Sequence, residues 1–237
     1  MALDRVKTGI PDFDKLIEGG IPKGNMVLVA GACGTGKSIF GAQYLYNGAK
    51  FFNEPGVFVT LEQKPQDVID VMENFGWEAS SLIKNKKLLV TKPGKDSLAA
   101  IEECIFASVN EIGAKRLVID SITLLGMYFK DEFELRTGLK QLHWKIKATN
   151  CTTLAISDTK EKSATYSISG CEEFIADGVI VLRIMAKEIG GGAHTRGVFV
   201  RKMRGTMHSL DVFPMKVDKK GIEIFPNIKI FEQEYAP

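Results

Sequence analysis

Apolar residues along this chain fall into short runs separated by longer segments of mixed character. Met26-Val27-Leu28-Val29-Ala30, Val57-Phe58-Val59-Thr60-Leu61, Leu88-Leu89-Val90, Leu117-Val118-Ile119 and Thr152 to Ile156 are near-continuous stretches. Runs of this kind suit strands covered on both faces. Between them the pattern changes. The segment after Ser38 suits a helix running to about Phe52, and Pro65 opens another that Gly76 closes. Ser97 caps a third that continues to about Ile112, and Phe133 to Thr149 carries Leu139, Leu142 and Ile146 on one face at spacings of three and four. Strand and helix in alternation predict right-handed crossovers and a mostly parallel, helix-flanked sheet, an α/β fold.

Both ends of the chain depart from that alternation. Thr8-Gly9-Ile10-Pro11-Asp12-Phe13-Asp14-Lys15-Leu16-Ile17 reads as a capped turn leading into a short helix, stopped by Gly19-Gly20. After Gly178, Val179 to Ile184, Gly197 to Met203, Val212 to Val217 and Ile222 to Phe225 read as strands with no room for helices between them. They predict an antiparallel C-terminal meander. Thr159 to Ser167 is polar and aperiodic and is expected to be a mobile loop; Gly190-Gly191-Gly192 reads as a hairpin tip.

The first strong run delivers the chain into Gly31-Ala32-Cys33-Gly34-Thr35-Gly36-Lys37-Ser38, which is G-x-x-x-x-G-K-S between a strand and a helix. Glycines let the backbone wrap a polyphosphate with its N–H groups pointing inward, and the helix start adds its positive dipole end. Gly31 through Ser38 are therefore expected to cradle a nucleoside triphosphate, with Lys37 reaching the β- and γ-phosphates and Ser38 ligating Mg²⁺.

Parallel strands bring their carboxyl ends to one rim, where ligands bind. Asp120, after an apolar strand, fits a second Mg²⁺-holding group; the alternative is a turn or capping Asp. Glu62, at the end of another strand, is placed to orient and deprotonate the attacking water, the alternative being a surface strand-end Glu. Gln63 is a poor proton acceptor and ranks behind it. Ser157-Asp158 ends a further strand; it suits a γ-phosphate sensor or a cap. Lys202 and Arg204 share a face if their strand continues, since side chains alternate with period two. They suit either transition-state charge stabilisation or a solvated basic strand edge.

Composition narrows the classes. The 237 residues suit one α/β core, so residues 1–237 are expected to form a single ATPase domain. A net charge of +2 argues against a globally basic nucleic-acid binder. No apolar run approaches the roughly 20 residues of a membrane span, and the N-terminus lacks a signal-peptide core, so a cytoplasmic protein is expected. Cys33, Cys104, Cys151 and Cys171 lack zinc spacing. His143, His194 and His208 are scattered, and His143 is expected at a helix surface or boundary.

Taken together these residues resemble the KaiC-like ATPases of the RecA superfamily. The resemblance is carried by Thr8-Gly9-Ile10-Pro11, Gly19-Gly20-Ile21-Pro22-Lys23-Gly24, the glycine loop, Thr60-Leu61-Glu62, Val118-Ile119-Asp120-Ser121, Glu172-Glu173-Phe174, Ala176-Asp177-Gly178 and Lys202-Met203-Arg204-Gly205-Thr206 with His208. It implies a RecA-like core assembled as a homo-oligomeric ring, usually a hexamer, with ATP between subunits. It implies Glu62 as the catalytic glutamate and Lys202 and Arg204 as residues acting in trans, with slow, assembly-dependent ATP hydrolysis. Where the family often has two glutamates this chain has Glu62-Gln63. Glu173-Phe174 resembles the family's non-phosphorylated domain, so autophosphorylation is not expected. A DNA-acting recombinase- or helicase-like motor and a non-hydrolysing ATP-gated scaffold are the alternatives; nucleic acid is not the favoured partner, and a protein partner is not identified.

Overall fold

The computed structural model describes residues 3–160, 165–185 and 195–230. In chain order, β1 (Arg5–Val6) and β2 (Ile21–Pro22) make a small antiparallel pair around a 3₁₀ turn at Phe13–Ile17. β3 (Met26–Gly31) runs into α1 (Lys37–Phe51), followed by β4 (Gly56–Thr60), α2 (Pro65–Asn74), α3 (Ala79–Lys84), β5 (Leu88–Thr91) and α4 (Leu98–Ile112). β6 (Arg116–Asp120) leads through a 3₁₀ segment, Ile122–Tyr128, to α5 (Glu132–Ala148) and β7 (Thr152–Asp158). The short α6 (Glu172–Ile175) precedes β8 (Gly178–Met185), β9 (Thr195–Met203), β10 (Phe213–Asp218) and β11 (Gly221–Ile224).

These strands form a nine-stranded sheet ordered β11-β10-β9-β8-β3-β7-β6-β4-β5. The six from β8 to β5 are parallel; β9, β10 and β11 add antiparallel strands beyond β8. The chain leaves β3 for β4, three positions away in the sheet, and later fills both sides of β3 with β7 and β8. Neighbouring connections therefore diverge at the carboxyl end of β3, the kind of position where open α/β sheets hold ligands.

The continuous apolar runs have a direct physical reason. Val27 and Val29 of β3 point into one core with Phe40 and Leu45 of α1 and Met72 of α2. Met26, Leu28 and Ala30 point into the other, with Ile105 of α4 and Leu139 and Leu142 of α5. Both faces are buried, so no polar alternation survives in the strand. Local signals set the helix starts: the Ser97 hydroxyl accepts from the Ala100 amide at 3.2 Å and Asp131 from the Glu134 amide at 2.8 Å.

Some expectations need correction. The N-terminal helix is a 3₁₀ turn. α3, the β1–β2 pair and the 3₁₀ segment after Asp120 carry no strong sequence signal. His143 is buried, because its ring meets the buried Asp177. β9 lies between β8 and β10 and is not an outer edge of the sheet. The Gly190–Gly192 tip, His194 and residues 161–164 of the polar loop lie outside the described residues. Among the described residues, no helix is long and apolar enough to cross a membrane.

Candidate nucleotide-binding site

The site is built from the tips of β3, β4, β6 and β7. Gly31 is the last residue of β3, paired with Leu182 on one side and Asp158 on the other. A Cβ at Gly31 would stand 2.5 Å from the Leu182 carbonyl, so only glycine fits the gap between the strands. Gly36, which precedes α1, has φ 103°, a conformation L side chains rarely adopt. The Thr35 hydroxyl closes the loop by donating to the Ala32 carbonyl at 2.9 Å. The backbone of Gly31 to Gly36 thus makes a cup at the N-terminus of a fifteen-residue helix.

Lys37 is the first residue of α1 and is only 8% exposed. Its ammonium lies 3.0 Å from Asp158 Oδ1 and donates to the Ala32 carbonyl at 3.0 Å. Ser38, one residue on, faces the Asp120 carboxylate at the tip of β6 and acts to lower its pKa. Burial pushes the Asp120 carboxyl up; the Ser38 hydroxyl opposes this, the charges of Glu62 and Asp158 reinforce it, and Lys37 opposes it. Asp120 caps no helix: the following 3₁₀ segment starts from Ser121 without a side-chain cap.

Glu62 stands two residues beyond β4, which pairs with β6 through Thr60 and Asp120. The Thr60 hydroxyl accepts from the Gln63 amide at 3.0 Å and donates to the Gln63 carbonyl at 3.1 Å, fixing the turn that carries Glu62. Glu62 is exposed at the rim, near enough to Asp120 for its charge to register there. The Asp158 carboxylate, open between sensor and cap on sequence, takes Lys37 and the Ser121 hydroxyl, at 3.2 Å, and no helix amide.

Lys202 and Arg204 lie elsewhere. Lys202 pairs with Val179, which lies opposite Leu28, three steps before Gly31 and roughly 10 Å from it along the strand. The Lys202 ammonium is fastened to the carbonyls of Ala176 at 2.6 Å, Glu173 at 3.1 Å and Phe174 at 3.4 Å. Burial, then the charge of Arg204, hold it below the usual lysine range, against Asp177 and Glu173. β9 ends at Met203, so simple alternation does not relate the pair; Arg204 instead reaches Asp177 at 3.2 Å. Both side chains gather on the 173–177 turn, towards the amino end of the parallel strands and away from the chain's own glycine cup.

Two further contacts carry no assigned role in the sequence reading: Arg196 is not singled out there, and Asp177 appears only as part of the family resemblance. The Arg196 guanidinium donates to the Gly34 carbonyl at 3.2 and 3.3 Å, brought there by the pairing of Arg196 with Ile184. Asp177 takes His143, Lys147, Arg204 and the Met26 amide. No local motif marks either contact.

A glycine cup between strand and helix, with a serine–aspartate pair beside it on a mostly parallel sheet, defines a RecA-like P-loop ATPase fold. The family model for the KaiC ATPase matches residues 6–229, and the chain belongs to that family. It is 33% identical over 236 residues to the circadian clock oscillator protein KaiC of Parasynechococcus marenigrum (strain WH8102), covering 95% of this chain and 46% of that protein. It is 34% identical over 232 residues to the KaiC of Thermostichus vulcanus, covering 94% and 44%. The chain thus spans a little under half the length of these relatives. A crystal structure of a KaiC-like protein from the hyperthermophilic archaeon Pyrococcus horikoshii OT3 superposes with a TM-score of 0.85 at 40% identity, over 94% of this chain and 100% of that one.

Proposed function

We propose that the chain binds ATP with Mg²⁺ and hydrolyses it slowly in a ring of identical copies, usually six in this family, as one ATPase unit within the cell. In this reading the Gly31–Gly36 amides and Lys37 hold the triphosphate. Ser38 and Asp120 would hold Mg²⁺: a hydroxyl facing a carboxylate is a hard-oxygen pair of the kind that cation takes. The metal, when bound, neutralises phosphate charge. Glu62 orients a water towards the terminal phosphorus and accepts its proton. The bond from that phosphorus to the β-phosphate oxygen breaks, giving ADP and phosphate.

One observation carries the assembly part. Lys202 and Arg204 are fastened at the opposite end of the strands from their own Gly31 and Lys37, so any phosphate they meet belongs to another copy. They would stabilise charge on a neighbour's triphosphate, as an arginine finger does. The test is light scattering with and without Mg·ATP, alongside phosphate release across protein concentration. Turnover per chain should rise with assembly; turnover independent of assembly overturns the interfacial site.

A further inference from the structure

We infer that Asp158 competes with nucleotide phosphate for the Lys37 ammonium and so makes nucleotide binding depend on Mg²⁺. The inference rests on reading the Gly31–Ser38 cup as a Mg·ATP site. Lys37 has three N–H donors; one meets Asp158 at 3.0 Å and one the Ala32 carbonyl at 3.0 Å. The buried ammonium has little access to water, so a phosphate must take it from Asp158 directly.

Asp158 cannot easily withdraw. Its amide donates to the Thr123 hydroxyl at 2.8 Å, its Oδ2 accepts from the Ser121 hydroxyl at 3.2 Å, and the next amide, of Thr159, donates to the Gly31 carbonyl at 3.1 Å. The carboxylate is therefore pinned beside the first residue of the glycine cup. Once Lys37 turns to phosphate, the Asp158 charge remains next to the incoming anion, with Asp120 and Glu62 at the neighbouring tips. Two positive charges at the Ser38–Asp120 pair offset those anions, whereas nucleotide without the metal meets them unscreened. Asp158 thus acts through Lys37, as a positioning residue that favours the metal-bound form of the nucleotide.

The substitution to make is Asp158→Asn, which keeps the shape and the Ser121 acceptor and removes the charge. The position is 36% exposed, and Asp158→Ser provides a second neutral variant; Asp158→Glu keeps the charge. Equilibrium binding of a fluorescent N-methylanthraniloyl ATP is measured in excess Mg²⁺ and in EDTA. In the neutral variants, affinity in EDTA should rise about tenfold while affinity in Mg²⁺ changes less than about threefold; Asp158→Glu should retain the wild-type ratio. A ratio unchanged in both neutral variants, or equal shifts in both buffers, overturns this inference alone. Wild-type protein that binds no nucleotide even with Mg²⁺ overturns the site reading as well.

Discussion

The Leu61 amide donates to the Asp120 carbonyl at 2.6 Å, so the turn that carries Glu62 is tied to the strand tip that carries Asp120. The carboxylates of Glu62 and Asp120 are thereby carried on strand tips linked through the backbone. Their side chains can be altered without disturbing that link.

Glu62→Gln should therefore act on chemistry and leave binding intact. The amide keeps the size of the side chain but accepts protons poorly. Phosphate release should fall by about 100-fold or more, while ATP affinity stays within about twofold. Turnover that is unchanged removes Glu62 from the mechanism.

Mixing experiments address the trans arrangement. The Lys202→Ala/Arg204→Ala double variant should be inactive alone, as should Glu62→Gln. Equal mixing pairs an intact Glu62 on one copy with intact basic residues on the next. Random head-to-tail assembly should then restore about a quarter of wild-type turnover. No recovery in verified mixed assemblies would mean the basic pair does not serve a neighbour.

Thiol chemistry reports on the cup directly. Cys33 is exposed in the glycine loop, Cys104 is half-buried, and Cys151 and Cys171 are buried. Burial also pushes the Cys151 and Cys171 thiols up, which makes them slower nucleophiles. One fast maleimide modification is expected in native protein, lost in Cys33→Ala. Saturating Mg·ATP should slow it by about tenfold or more; a rate indifferent to nucleotide places the ligand elsewhere.

Asp177 supplies a pH-dependent prediction. It is 6% exposed and faces His143, Lys147, Arg204 and the Met26 amide. Burial would raise its carboxyl, but donation from His143, Lys147 and Met26 prevails and holds it well below the usual carboxylate range. A carboxyl depressed in the folded state stabilises the fold above about pH 4 and loses that contribution as the pH falls towards the folded value. Asp177→Asn should cost about 3 kcal/mol in denaturant unfolding at neutral pH. The gap from wild type should narrow below about pH 4; a gap constant with pH contradicts this.

What could be read from the sequence follows from where each signal is stored. The strands β3, β4, β6 and β7 are legible because burial on both faces leaves uninterrupted apolar runs. The glycine cup is legible because its chemistry is contiguous. Asp158 against Lys37 is not, since it depends on β3 and β7 aligning Gly31 with Asp158. The same holds for Arg196 over Gly34, which depends on a strand pairing across the sheet. The burial of His143 is not legible in the helix pattern either, since a buried carboxylate from a distant turn draws its ring in. Lys202 and Arg204 defeat period-two reasoning because the β8–β9 register shifts between Val179 and Ile180 and the strand stops at Met203.

In the proposed ring, the separation of the basic pair from the glycine cup would make each protomer polar, with a head that accepts and a tail that supplies. A twofold dimer that buries like surfaces leaves both unmatched, whereas a head-to-tail contact satisfies one of each and passes the remaining ends along. In that proposed arrangement a single defective tail would silence only the neighbour it faces and leave its own cup in service. Damage in such a circle would be inherited by position, one place round.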